Sequence, residues 1–363
     1  MFMNEGKLVL ALNAGSSSIK YVVYDQNLEE KIKGRVENID NHSIALNEIL
    51  EEINHAVGLE NISAIGQRIV NGGPKLKSSR IIDADVRQEL ENYAFYDPDH
   101  MPFILEIIDT IGNRLNNVPQ VACFDSEFFN DLPPESKYLA IPREYRDKGI
   151  IKNGFHGLSY SYLLSQIADS SDKKIIFAHL GSGVSLCAIK NNKPLDTTMS
   201  FTPTSGIPMS TRSGDLDPSV AIFLAKHENL SVDELDNVFN HSSGLKAISG
   251  INGDMKELLA NQATDPNCAE AVAKFVHEVK KTIGAYSALM NGLDILVFSG
   301  GIGERSAELR SRICDELDNL NIKLDEEKNQ QSAQIISDSD TIKVMVMPTN
   351  EEYIIGMQTL QKI

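Results

Sequence analysis

Cysteine is scarce in this chain. Its four thiols, Cys123, Cys187, Cys268 and Cys314, stand isolated, with no C-x-x-C pair among them. They fit reduced thiols better than a disulfide framework or a zinc site. Basic residues are also in deficit: 34 Lys and Arg face 51 Asp and Glu, for a formal charge of −17. A dispersed negative field repels phosphate backbones and anionic lipid, so neither a nucleic acid nor a membrane is expected as a partner. Any anionic substrate has to be held by a few local arginines and lysines. Long hydrophobic runs are missing from the start of the chain. The run Leu8 to Leu12, "LVLAL", is too short for a signal-peptide core and far too short to span a bilayer. A cytoplasmic, soluble protein is the expectation.

What is present is an ordinary globular composition, 42% hydrophobic with 24 glycines, over 363 residues. That length is too great for one small core, so two domains are expected. Strands and helices alternate. "KLVLAL" and "SIKYVVYD" read as strands around a polar turn. "SIALNEILEEINHAVG" spaces Ile49, Ile53 and Val57 along one helix face and stops at Gly58. "PFILEIIDTIGNRL" is a second amphipathic helix. "NDLPPES", Asn130 to Ser136, is the best candidate for a mid-chain boundary.

Helix starts are clearer beyond that point. Asp217-Pro218 and Asp265-Pro266 each place an N-cap before proline, and Ser231 with Glu234 forms a capping box. The second of these proline-led helices carries Val272, Val276, Val279, Ile283 and Tyr286 on one face. The strand "DILVFSGG" and the charge-rich helix "SAELRSRICDELDNL" follow. The alternation gives an α/β fold class.

Two Gly-Ser turns echo each other. "NAGSSSIKYVVYD" in the first half matches "HLGSGVSLCAIKN" in the second, with Gly15 opposite Gly181 and Ser16 opposite Ser182. Such an echo fits either two related domains or a chance match. The first turn lacks the second glycine of a G-x-S-x-G elbow, so its serines do not read as nucleophiles. Gly15, the serine hydroxyls, the main-chain N–H groups and Lys20 suit an anion, while a hairpin satisfying its own backbone is the plainer alternative.

"FSGGIGERS" forms a second glycine loop without Rossmann or Walker spacing. It suits a phosphate or a flat base, or only tight packing of a strand on a helix. Other candidates are His156 between glycines in "GFHGLSY", Arg212 in a polar turn and Arg68 before paired glycines. Asp125 lies in an apolar context that demands a partner. Asn350-Glu351-Glu352 reads as a magnesium cluster or as an acidic helix start.

Taken together, these blocks resemble the acetokinase family, within the sugar kinase, heat-shock and actin-like superfamily. The matching stretches run in family order from "LALNAGSSSIKY" through "FDSEFF", "GFHGLS", "HLGSG", "FTPTSGIPMSTRSGDLDP" and "GGIGE" to "PTNEE". The resemblance implies two duplicated actin-like (ribonuclease H-like) domains around a nucleotide cleft, 1–130 with 353–363 and 131–352. It also implies reversible, magnesium-dependent transfer of the ATP γ-phosphoryl group to acetate, giving acetyl phosphate and ADP, by a homodimer.

By motif, Asn13 and Glu351 would serve the metal, and Ser16, Ser18 and Lys20 the phosphates. His179, Leu180, Gly181, Ser182 and Gly183 would line the β- and γ-phosphates. Gly301, Ile302, Gly303, Glu304 and Arg305 would hold the adenosine, with Asp254, Met255 and Lys256 near base and ribose. Arg68 would clamp the carboxylate, and His156 and Arg212 the transferring phosphoryl group. His100 falls at another active-site histidine, and Phe155 and Pro203 in the acyl pocket. The family assigns Asp125 proton transfer. A small carboxylic acid is already ionised near pH 7, so an orienting role for Asp125 is the expectation here.

Several positions depart from the family pattern: Gln67, Asn71, Asp99, Tyr160, Ser182, Met255-Lys256 and Arg305, with apparent trimming around residues 26–60. Propionate or butyrate kinase activity is the near alternative, since a methylene in an apolar pocket is worth only ~1–3 kcal/mol. A non-transferring nucleotide switch of the same superfamily is the distant one.

Overall fold

The structure is a computed structural model that describes residues 7–94, 97 and 100–363. It divides into two compact units. One comprises Met1–Asn130, His156–Tyr162 and Asn350–Ile363, and the other Asp131–Phe155 and Leu163–Thr349. The segment His156–Tyr162 therefore groups with the first unit.

The first unit is built on a six-stranded sheet of β1 (Leu8–Ala14), β2 (Ser18–Tyr24), β3 (Glu30–Glu37), β4 (Ile62–Ile69), β5 (Arg80–Ile81) and β6 (Gln120–Phe124). Its order is β3-β2-β1-β4-β6-β5. β1, β2 and β3 form an antiparallel meander, while β4 and β6 run parallel to β1. β1 alternates between two cores, as a strand covered on both faces must. Leu10 and Leu12 pack with Leu46, Ile49 and Ile53 of the helix His42–Val57. Val9 and Ala11 pack on the other side with Ile354 and Ile355 of the C-terminal helix Glu351–Leu360.

The second unit holds β7 (Lys174–Leu180), β8 (Val184–Lys190), β9 (Lys193–Thr197), β10 (Ile295–Ser299) and β11 (Lys343–Val346). Its order is β11-β10-β7-β8-β9. Read from the other edge, this is the first sheet again: a meander of β9, β8 and β7, then β10 and β11 parallel to β7. The two echoing sequences are the β1–β2 and β7–β8 hairpins. Gly15 N–H donates to Ser18 O at 2.8 Å, and Gly181 N–H to Gly183 O at 3.1 Å. The match of strand order, not of two turns alone, supports duplication over chance.

Local sequence signals explain most helix boundaries. Asp217 accepts from Ser219 N–H, Asp265 from Asn267 N–H, and the Ser231–Glu234 capping box is formed in both directions. Three expectations need correction. "GGIGER" is not a loop, because Gly300–Arg305 is itself a six-residue helix. The charge-rich helix ends at Cys314, where Asp315 turns extended. On the long helix Pro266–Met290, Phe275 rather than Val276 is fully buried.

All four cysteines are free and buried. Burial pushes the Cys314 thiol up to about 12 and raises Cys123 and Cys187 as well. Thiolate, the reactive form, is suppressed. The native protein is therefore expected to show no fast reaction with a thiol reagent such as DTNB, and four reacting thiols once unfolded. Rapid labelling of the native chain would contradict this packing.

Candidate active site

In the first unit the expected residues gather at the C-terminal ends of parallel strands, where open α/β sheets place ligands. Arg68 lies near the end of β4, and Asp125 directly follows β6. The register pairs Ile69 with Phe124, and Asp125 N–H donates to Ile69 O at 2.9 Å. Asp125 is 1% exposed. Arg68 Nε and Nη2 both donate to its Oδ2, at 3.0 and 2.6 Å.

Burial raises the Asp125 pKa, opposed by Arg68, while nearby Glu351 adds to the rise. Burial also works against the Arg68 charge, yet Asp125, Glu351 and Asp97 together hold its pKa above the usual value.

His156 adopts the left-handed region with φ of 61°, uncommon for a residue with a side chain. The next residue explains the constraint. Gly157 N–H donates to Asp125 O at 3.0 Å, and a Cβ on Gly157 would lie 2.0 Å from that oxygen. Glycine permits the approach, and His156 takes the strained turn that opens the helix Gly157–Ser165.

Asn13, buried at the end of β1, uses its amide to reach two carboxylates. Nδ2 donates to Glu351 Oε2 at 2.8 Å and to Glu352 Oε1 at 2.7 Å. Ser159 Oγ donates to Glu351 Oε1 at 2.6 Å. Both glutamates sit in the first turn of the C-terminal helix, which Asn350 caps. Both readings of "NEE" thus meet in one place: an acidic helix start whose oxygens are shared with Asn13. Among the described residues, no group of three His, Cys, Asp or Glu gathers to hold a metal by itself.

His100 precedes the helix Met101–Arg114 and pairs through Nδ1 with Asp97 Oδ1 at 2.7 Å. Ser16 and Lys20 are exposed on the first hairpin, and Ser18 is half-buried. Sequence reasoning did not flag Ser159 or Asp97. Ser159 lies in the "GFHGLS" block, but only its bond to Glu351 marks it.

The second unit contains a cavity of about 580 Å³. Seven expected nucleotide residues line it: Ser182, Asp254, Met255, Lys256, Gly301, Ile302 and Arg305. Ser210, Gly253, Leu259 and Ser306 complete the wall and were not anticipated. His179, Leu180, Gly181, Gly183, Gly303 and Glu304 adjoin these residues in sequence without lining the cavity. The Asp254 carboxylate already caps its helix, accepting from Lys256 and Glu257 N–H. Gly253 lets that segment lie against Ser210, whose carbonyl a Cβ would meet at 2.1 Å. Arg212 is half-buried, with Nη1 3.5 Å from Pro203 O, so these two expected residues are neighbours. Phe155 is buried in the same unit.

Three of the departures from the family pattern make structural contacts, while Ser182, Met255, Lys256 and Arg305 line the cavity. Gln67 hydrogen-bonds Gln120 within the sheet, and Asn71 accepts from Gly73 N–H. Tyr160 is fully buried against Phe128 and Phe129. Asp99 lies outside the described residues.

Comparison with known proteins agrees along the whole chain. The model of the acetokinase family matches residues 29–357. The acetate kinase of Clostridium acetobutylicum is 38% identical over 390 aligned residues, covering 96% of this chain and 97% of that protein. The acetate kinase of Methanosarcina mazei is 37% identical over 390, covering 97% and 96%.

Among solved structures, a propionate kinase from Francisella tularensis superposes with a TM-score of 0.92 at 33% identity, covering 98% of this chain and 100% of that one. The acetate kinase of Entamoeba histolytica gives 0.88 at 30% identity, with 97% and 98% covered. The chain belongs to the acetokinase family, a family of phosphotransferases.

Proposed function

We propose that this protein transfers the γ-phosphoryl group of ATP to acetate, reversibly, forming acetyl phosphate and ADP. The observation that carries the proposal is the cavity lined by seven residues from three separate segments, each expected at the nucleotide from sequence. Its volume is in the range of small-molecule sites.

In this reading Gly301, Ile302 and Arg305, with Asp254, Met255 and Lys256, hold the adenosine. The turn His179–Gly183 offers main-chain and hydroxyl donors to the phosphates, helped by Ser16, Ser18 and Lys20. Arg68 binds the acid's carboxylate, and its pairing with Asp125 fixes the guanidinium in one orientation. His156 and Arg212 take the charge of the transferring group, since phosphoryl transfer asks for alignment and neutralisation more than covalent help. His100, Phe155 and Pro203 shape the acyl end.

Asn13 and Glu351 would hold magnesium. Their oxygen donors suit a hard cation, and the amide nitrogen of Asn13 is already committed to the two glutamates. The ion, when bound, supplies positive charge to the phosphates.

A second reading, a kinase for propionate, is favoured by the TM-score to the Francisella protein. Four buried free thiols suit a reducing, cytoplasmic setting. No helix among the described residues is long and apolar enough to cross a membrane. A homodimer is favoured by the helices Pro218–His227 and Val232–His241. Neither buries a residue, and Phe223 and Val232 are 55% and 80% exposed. Light scattering should give twice the chain mass; a monomer would reject the dimer.

The enzyme assay supplies ATP, magnesium and acetate, propionate or butyrate, and traps acyl phosphate with hydroxylamine. Acetyl hydroxamate is expected to form fastest. A preference for propionate would select the second reading. No hydroxamate from any acid would overturn the kinase proposal in favour of a nucleotide switch.

A further inference from the structure

The helix Ala307–Cys314 reads as charge-rich in sequence, yet its Arg310 is 0% exposed. Its guanidinium makes five hydrogen bonds and, among the described residues, no ion pair. Nε donates to Asn329 Oδ1 at 2.8 Å, and Nη2 to Asn329 O at 2.7 Å and Ser332 Oγ at 3.0 Å. Nη1 donates to Gly303 O at 2.8 Å and Glu304 O at 3.0 Å. Burial lowers its pKa, but an arginine keeps its proton at neutral pH.

A buried guanidinium without a counter-ion is a costly way to fill a core, and apolar side chains do so more cheaply. What it provides here is placement. Gly303 and Glu304 belong to the helix Gly300–Arg305, whose last carbonyls have no partner within so short a helix. Gly301, Ile302 and Arg305 of that helix line the 580 Å³ cavity. Arg310 thus grips the far side of the segment that faces the cavity, and ties it to the helix Glu326–Gln330 through Asn329. It also leaves a buried positive charge uncompensated in a protein of net charge −17.

We infer that Arg310 is a positioning residue for the nucleotide, fixing the Gly300–Arg305 backbone against which adenosine binds and adding positive charge beneath it. The inference rests on the nucleotide reading of this cavity. A merely structural arginine would affect melting and the fraction of active enzyme, but not affinity for one substrate alone.

The test titrates ADP calorimetrically into the wild type, Arg310→Lys and Arg310→Gln, and measures KM for ATP and for acetate. Lysine keeps the charge but loses the fork. Loss of charge-assisted hydrogen bonds should weaken ADP binding by about tenfold or more and raise KM for ATP in parallel, with KM for acetate unmoved. Glutamine should be weaker still. A lysine variant that melts and binds ADP like the wild type overturns the inference, as does a loss of kcat with both KM values unchanged. If the lysine variant does not fold, Ser332→Ala removes only one of the five acceptors. ADP binding about threefold weaker then supports the inference, and unchanged binding overturns it. A wild type that binds no ADP fails the nucleotide reading itself, and that failure is read before any variant is made.

Discussion

Asp125 is a carboxylate removed from water and held in place by four backbone and side-chain bonds, and the first unit's site is organised around it. Its Oδ2 receives Arg68 twice, its N–H reaches β4, and its carbonyl receives Gly157. One residue therefore joins two strands to the start of the helix that His156 precedes and that carries Ser159. Ser159 in turn reaches Glu351, which shares Asn13 with Glu352. A buried charge so placed cannot drift: removing its partner leaves an uncompensated ion at a cost of about 3–5 kcal/mol. The stiffness that results is what alignment chemistry needs.

The repeated sheet explains how one fold supplies two sets of groups. Each unit ends its first strand in a glycine hairpin and continues into parallel strands whose C-terminal ends carry polar side chains. In the first unit those ends present Arg68 and Asp125. In the second, Ser299 leads into the Gly300–Arg305 helix beside the cavity. The same topology has been given different side chains, an arginine–carboxylate pair in one copy and a glycine-rich wall in the other. In an acidic chain, the few cations that matter are those the fold buries or braces: Arg68, Arg212 and Arg310.

Much of this was legible in the sequence because it is written in short-range chemistry. Caps at Asp217, Ser231 and Asp265, the stop at Gly58 and the two hairpins all depend on residues a few positions apart. The cavity wall was legible in another way, through motifs at "GGIGE" and "GDMKEL" that resemble a family. What was not legible depends on long-range packing. Arg310 looks like any helix-surface arginine until Asn329 and the Gly303 carbonyl are brought to it. Gln67 stands out in the sequence, but only its pairing with Gln120 explains it. "GGIGER" reads as a glycine loop between a strand and a helix, yet Gly300–Arg305 is itself helical, with Arg310 donating to the Gly303 and Glu304 carbonyls.

The central claim is that the site works by holding charges in register rather than by moving a proton through Asp125. The most direct measurement is the pH profile of kcat/KM for Asp125→Asn against the wild type. The account predicts a rate loss of about a hundredfold or more, from a misaligned Arg68, with both limbs of the profile retained. Disappearance of one limb would show that Asp125 itself carries the proton, and would contradict the account.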